Sequence, residues 1–433
     1  MSDATLTHDE RKPAKARTLI KITLPAIAVG AMCAVVLWAI DMAAEGVTHV
    51  MWHWLPEVGG FDSESWWWPI IVLGLAGAAV GTIVRYAPGH AGYDSATTEL
   101  VAPPLPLKAL PGIAAALIVS LGAGVSLGPE SPIISIAVGL SVWGLARILP
   151  NAKAGQILLV AGAGMLGAMF GSPVAAALLL TEMVAGIKGP GLLWDKLFAP
   201  VAAGASGALV ANWLGIAFIP GGLDDYAGPN WADLYVGIPI ALGAAALSLA
   251  GAWAMPYLWH LLRRFPNPIV FTTLGGILVG ILGAIGGTVS MFKGAEQSAE
   301  IVAGAAEYSF WALLGLAVVK VAALTVSAAA GFRGGRIFPA VFIGTAVGLA
   351  GHSLAPDTSL AMALAAGAVG SILAIGRDGW LAIFMGVALV GDVAILPSIC
   401  VIVLPVWLIV TSGPEMLVHH AKLPPHAGHQ PPE

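Results

Sequence analysis

The chain has 433 residues, 58% of them hydrophobic and only 10% charged, with a net charge of −5. A soluble globular domain carries about 25% charged residues, so the composition excludes one; the net charge itself says little, and no nucleic-acid partner is expected. The two cysteines, Cys33 and Cys400, sit in apolar runs without metal-ligand spacing and read as small buried hydrophobes, so no metal or cofactor is expected.

In chain order, residues 1–18 form a polar tail, and the first 21 residues carry Arg11, Lys12, Lys15, Arg17 and Lys21. Apolar residues 22–40 follow. No small-residue cleavage site leads into a soluble domain, so this run reads as an uncleaved first span. The basic cluster sets the N-terminus in the cytoplasm and the chain in the cell (inner or plasma) membrane. Residues 49–68 carry Trp52, Trp54, Trp66, Trp67 and Trp68 and read as an interfacial loop at headgroup level. Further runs without charge cover 65–84, 154–181, 197–223, 234–262, 265–292 and 393–414, and 109–146 carries the single charge Glu130. A helical span needs roughly 20 such residues, and the short alternating segments of a membrane β-barrel are missing. Residues 218–231, FIPGGLDDYAGPNW, form a polar loop near the midpoint, and the chain closes on a proline-rich tail.

Glycine (55) and proline (30) are abundant inside these runs. Gly128, Pro129, Pro132, Gly171, Pro173, Gly334, Gly335 and Pro339 predict broken helices, which lipid tolerates only where the freed backbone is buried or lines a cavity. Two of the breaks match. Gly128-Pro-Glu-Ser-Pro132 and Gly335-Arg-Ile-Phe-Pro339 share G-x-x-x-P before an apolar stretch, 207 residues apart; Ala161-Gly-Ala163 and Ala366-Gly-Ala368 repeat at an offset of 205. The pattern predicts an all-α polytopic membrane protein of two inverted-topology helical repeats whose broken helices meet near the midplane. The repeats are residues 19–217 and 232–421, with 218–231 between them and 422–433 as a tail.

A helix N-terminus offers unpaired N–H groups and about half a positive charge, so two of them meeting inside lipid attract an anion. Residues 128–132 and 335–339 supply one from each repeat. A carboxylate there, Glu130, takes the place an anion would take and withdraws when protonated; the alternative is a capping carboxylate with no part in transport.

These segments resemble the chloride channel and transporter (CLC) family. GAGVSLGPESPIISI (122–136) is similar to its G-[K/R]-E-G-P segment, FGSPVAAALLLTE (170–182) to F-N-A-P-L-A-G-x-L-F-x-x-E, and GFRGGRIFPAVFIGT (331–345) to G-G-x-F-x-P. IVRYAPGHAG (83–92) resembles the stretch before G-S-G-I-P, and AILPSI (394–399) a late L-I-L-P segment. The resemblance runs in order over residues 20–420 and implies two inverted halves, an anion held at meeting helix N-termini, and a homodimer with one pathway per subunit.

Carried over by position, Glu130 matches the gating glutamate, and Gly128, Pro129, Ser131, Ile337 and Phe338 fall in the anion-binding motifs. Ser95 or Asp94 falls where the family coordinates the anion with a serine, although G-S-G-I-P itself has diverged; Ser95 is preferred because an ionised aspartate repels an anion. Met416 replaces a coordinating tyrosine, and Met183 stands where proton-coupled members carry an internal glutamate, which favours passive conduction. Glu182, beside it, points about 100° away on a helix and reads as a structural or proton-path acid. Arg336 is expected to attract the anion or to pair with Glu130, Asp94 or Asp378; Arg333 to face water or headgroups; Lys320 to snorkel or pair with Glu307 or an internal acid; and Asp392 to cap the helix after it. The expected function is transmembrane movement of chloride or a similar small anion, probed against a proton-coupled antiporter and a non-transporting scaffold. An intramembrane hydrolase finds no nucleophile–base pattern and no H-E-x-x-H, so an enzyme is not expected.

Overall fold

A computed structural model describes residues 16–148, 154–185, 192–216 and 226–418. The polar tails, the adjacent His419 and His420, and most of the midpoint loop lie outside the described residues, as does the side chain of Glu182.

The described residues form α1 (Ala16–His49), α2 (Leu55–Gly59), α3 (Trp68–Tyr86), α4 (Leu110–Gly122), α5 (Glu130–Ile148), α6 (Ala154–Phe170), α7 (Pro173–Ala185) and α8 (Leu193–Trp213). They continue with α9 (Trp231–Leu262), α10 (Pro268–Gly286), α11 (Ala295–Ala303), α12 (Phe310–Ala329), α13 (Ile337–Leu354), α14 (Leu360–Gly376), α15 (Gly379–Val390) and α16 (Leu396–Ser412). Seven of the helical stretches are long and apolar enough to cross a membrane. Short α2 and α11 aside, each half runs through the same seven helices, from α1 and α9 to α8 and α16. An odd number of crossings per half inverts the second half relative to the first.

The ends of these helices follow from local chemistry. Proline opens α7 and α10, where its missing N–H costs nothing. Asn230, Ser309, Ser359 and Asp378 cap α9, α12, α14 and α15 through side-chain oxygens. Asp392 caps the short turn that begins at Val393, accepting the Ala394 N–H at 2.8 Å. The tryptophan-rich segment differs from the expected loop. The chain stays helical from α1 through a wide turn at Val50–Trp54 to Gly59; Trp52 is buried against the Phe292 ring, while Trp54 and Trp66 stay exposed.

The chain divides into two compact units. One comprises residues 1–40, 103–107 and 133–219. Its core is built on small residues: α6 meets α8 where Gly167 and Gly207 leave no room for a Cβ against backbone, and Cys33 Sγ donates to the Ala161 carbonyl. The other unit, residues 41–102, 108–132 and 220–433, holds α13 and α14 at its centre. The most apolar part of α13 is 72% buried, against 33% for that of Val393–Ser412, the stretch that contains α16. Large side chains such as Trp311, Leu404 and Leu408 face outward, as lipid contact demands.

Candidate functional site

The second unit brings the two matching breaks together. Helix α4 ends in a turn through Gly124 (φ +90°) and α12 in the same turn through Gly331 (φ +81°), 207 residues later, where only glycine adopts the backbone without strain. Each chain then runs extended for a few residues and meets the other. Gly128 and Gly335 form an isolated antiparallel bridge, with N–H···O distances of 2.9 and 2.6 Å. Directly after it, α5 starts at Glu130 and α13 at Ile337, so two helix N-termini begin side by side in the interior.

Glu130 is fully buried between them. Its Oε1 accepts the N–H of Phe338, in the first turn of α13, at 2.7 Å. The N–H groups of Ile337 and of Glu130 itself also face the carboxylate. Oε2 is buried without a hydrogen-bond partner among the described residues. A Cβ at either Gly128 or Gly335 would strike this carboxylate, so both bridge positions must be glycine for it to sit there. Ser131, Ile337 and Phe338 are buried around it.

Arg336 is the residue directly before α13, and its side chain makes no capping bond to that helix. Its guanidinium donates to the carbonyls of Met416 and of Thr98, the latter at 2.8 Å. It forms no ion pair with Glu130, Asp94 or Asp378 among the described residues, although Glu130 and Glu99 are near enough to feel its charge. Asp378 instead caps α15. The carbonyl of Met416 thus holds a cation, the Arg336 guanidinium.

Ser95 is buried, donates its hydroxyl to the Phe332 carbonyl at 2.6 Å and accepts the Gly334 N–H at 3.0 Å. Its one proton is already engaged, so coordinating an anion requires giving up the bond to Phe332. Asp94 pairs with Arg263 at 2.5 Å and lies 4.0 Å from Arg333. Arg333 departs from expectation: it is 2% exposed, and donates to the carbonyls of Ala91 and His90, each at 2.9 Å, and of Gly331 at 3.2 Å. The carbonyls of His90 and Ala91, in the turn after α3, need donors that no helix supplies, and Arg333 satisfies them. Lys320 neither snorkels nor pairs with an acid among the described residues; it is fully buried on three carbonyls, treated below. Its partners are backbone atoms, so no side-chain motif in the sequence marks them.

Two facing helix starts with a carboxylate between them, inside a bundle of apolar helices of which seven are long enough to cross a membrane, define an ion-transporting membrane protein of inverted-repeat design. The profile of the voltage gated chloride channel family matches residues 75–408, and the chain belongs to that family, whose members are channels and transporters rather than enzymes. It is 40% identical over 416 residues to "Putative ion-transport protein YfeO" of Escherichia coli O139:H28 (strain E24377A / ETEC), covering 95% of this chain and 98% of the relative. In fold it is similar to a slow cyanobacterial Cl−/H+ antiporter, with a TM-score of 0.77 at 17% identity over 92% of this chain and 95% of that one. A CLC-type fluoride/proton antiporter gives 0.71 at 17% identity over 93% of this chain and 98% of that one.

Proposed function

We propose that this protein moves chloride or a similar small inorganic anion across the cell (inner or plasma) membrane through a channel-like pathway gated by Glu130. The observation that carries this reading is the bond from the Phe338 N–H to Glu130 Oε1 at 2.7 Å. A carboxylate of one repeat occupies the amides at the helix start of the other, where an anion would bind, so ion and carboxylate compete. Gly128, Pro129, Ser131, Ile337 and Phe338 form the walls of the anion site, with Ser95 and Arg336 on its inner side. Residues 19–217 and 232–421 act as the two repeats, the N-terminus lies in the cytoplasm, and two copies assemble as a homodimer with one pathway each. Glu182 serves as a structural or proton-path acid.

The second reading is proton-coupled exchange, favoured by the two antiporters among the solved structures of similar fold. One measurement separates the two: anion flux from liposomes with simultaneous proton recording. Passive conduction moves anions without protons; exchange drives protons uphill on an anion gradient. In either case Glu130→Gln is expected to raise passive anion flux and abolish its pH response. Unchanged flux and pH response in that variant would refute the gate, and absence of flux in the wild type would favour a scaffold.

A further inference from the structure

Lys320, midway along α12, is fully buried. Its ammonium donates to the carbonyls of Ser290 (3.1 Å), Met291 (2.7 Å) and Phe292 (2.8 Å), one acceptor for each of its three protons. The ring of Phe342 lies 4.9 Å from the nitrogen. Among the described residues no acid lies within ion-pair distance of it. Backbone dipoles and the face of one aromatic ring offset the charge.

Three successive carbonyls do not converge unaided, because their oxygens repel. Phe292 holds φ at +57°, a conformation a bulky residue rarely takes. The turn that does this, 288–292, follows α10; its counterpart 88–92 follows α3 at an offset of 200. There His90 (φ +52°) and Ala91 (φ +56°), at the places of Ser290 and Met291, also turn carbonyls onto a buried cation, the guanidinium of Arg333. Lys320 and Arg333 do not occupy equivalent positions: one is within α12, the other in the turn after it. The two turns differ in their backbone angles, with Met291 at φ −92° where Ala91 is at +56°, yet each presents successive carbonyls to a buried cation on an unrelated side chain, so in both it is the carbonyl cluster that calls for a positive charge.

We propose that residues 290–292 are a backbone site for a small monovalent cation and that Lys320 is its tethered occupant, an ammonium ion carried on a side chain. The ligand class is one that oxygen ligands hold: ammonium, potassium or sodium. Filled, the site fixes the turn, and the Phe292 N–H donates to the Gly124 carbonyl at 3.0 Å, tying it to the junction that leads into Glu130. The site stands independently of which ion the protein transports.

The test is the yield and melting temperature of purified full-length Lys320→Ala in choline, sodium, potassium and ammonium chloride, beside wild type and Lys320→Met. Removing the side chain should leave a site that free cations fill. Lys320→Ala is expected to be destabilised in choline and to recover saturably with at least one small cation, while wild type does not respond. Lys320→Met, whose uncharged chain still fills the space, should be destabilised and stay so in every salt. The proposal is overturned if Lys320→Ala matches wild type in choline, if no cation improves its yield or melting temperature beyond the wild-type response, or if Lys320→Met recovers equally.

Discussion

Gly128 and Gly335 each donate a backbone N–H to the other's carbonyl. They stand 207 residues apart, at equivalent places in the two halves. A reciprocal contact between equivalent residues is the signature of a two-fold relation, here local and within one chain. It sets the starts of α5 and α13 beside each other and gives the Glu130 carboxylate amides from both. A methyl group at residue 335 collides with that carboxylate. Gly335→Ala should therefore expel Glu130 from the Phe338 amide and, in chloride efflux from liposomes at neutral pH, approach the flux of Glu130→Gln. Efflux equal to wild type with unchanged pH response would show that the carboxylate does not block the path.

Protonation should act in the same direction. An ionised carboxylate accepts a hydrogen bond roughly twice as strong as a neutral one, so protonating Glu130 weakens its hold on Phe338 and frees the amides. Anion flux is expected to rise as pH falls, with the steepness of a single proton. A flux–pH curve that falls in acid, or that keeps its shape in Glu130→Gln, contradicts this.

Arg336 brings a full charge beside the start of α13, held by the carbonyls of Thr98 and Met416. Its loss removes a charge-assisted contribution of about 1.5–3 kcal/mol, or roughly tenfold or more in affinity. Arg336→Gln should weaken chloride binding by that factor in calorimetry, and Arg336→Lys should recover part of it. Equal affinity in all three proteins would confine Arg336 to a structural role.

Ser95 links the carbonyl of Phe332 to the N–H of Gly334, on the segment that positions the bridge. Ser95→Ala leaves two buried backbone groups short of a partner, at a cost of about 1–3 kcal/mol. A lower melting temperature is expected. A drop in anion affinity without any loss of stability would instead assign the hydroxyl to the ion.

Asp94 sits between Arg263 and Arg333. Removing one partner from a largely buried cluster costs on the order of 3 kcal/mol, since the remaining charges stay out of water. Asp94→Asn should unfold well below wild type, and unchanged stability would mean that the carbonyls of His90 and Ala91 suffice for Arg333.

Much of the plan is legible in one dimension, because lipid leaves few options. Apolar runs of span length must be helices, and prolines and glycines within them must mark breaks. A lone acid such as Glu130 beside such a break must have partners. The G-x-x-x-P repeat at 128 and 335 shows in residue types because the constraint there falls on glycine and proline themselves. The cations were another matter. Arg333 and Lys320 look in sequence like residues bound for water or an acid, yet both are buried on carbonyls, and Arg336 reaches carbonyls rather than an acid. Every residue has a carbonyl, so a site made of them leaves no trace in side-chain identity. Only the folded path, with Phe292, His90 and Ala91 turned to positive φ, decides which oxygens converge and which charge they hold.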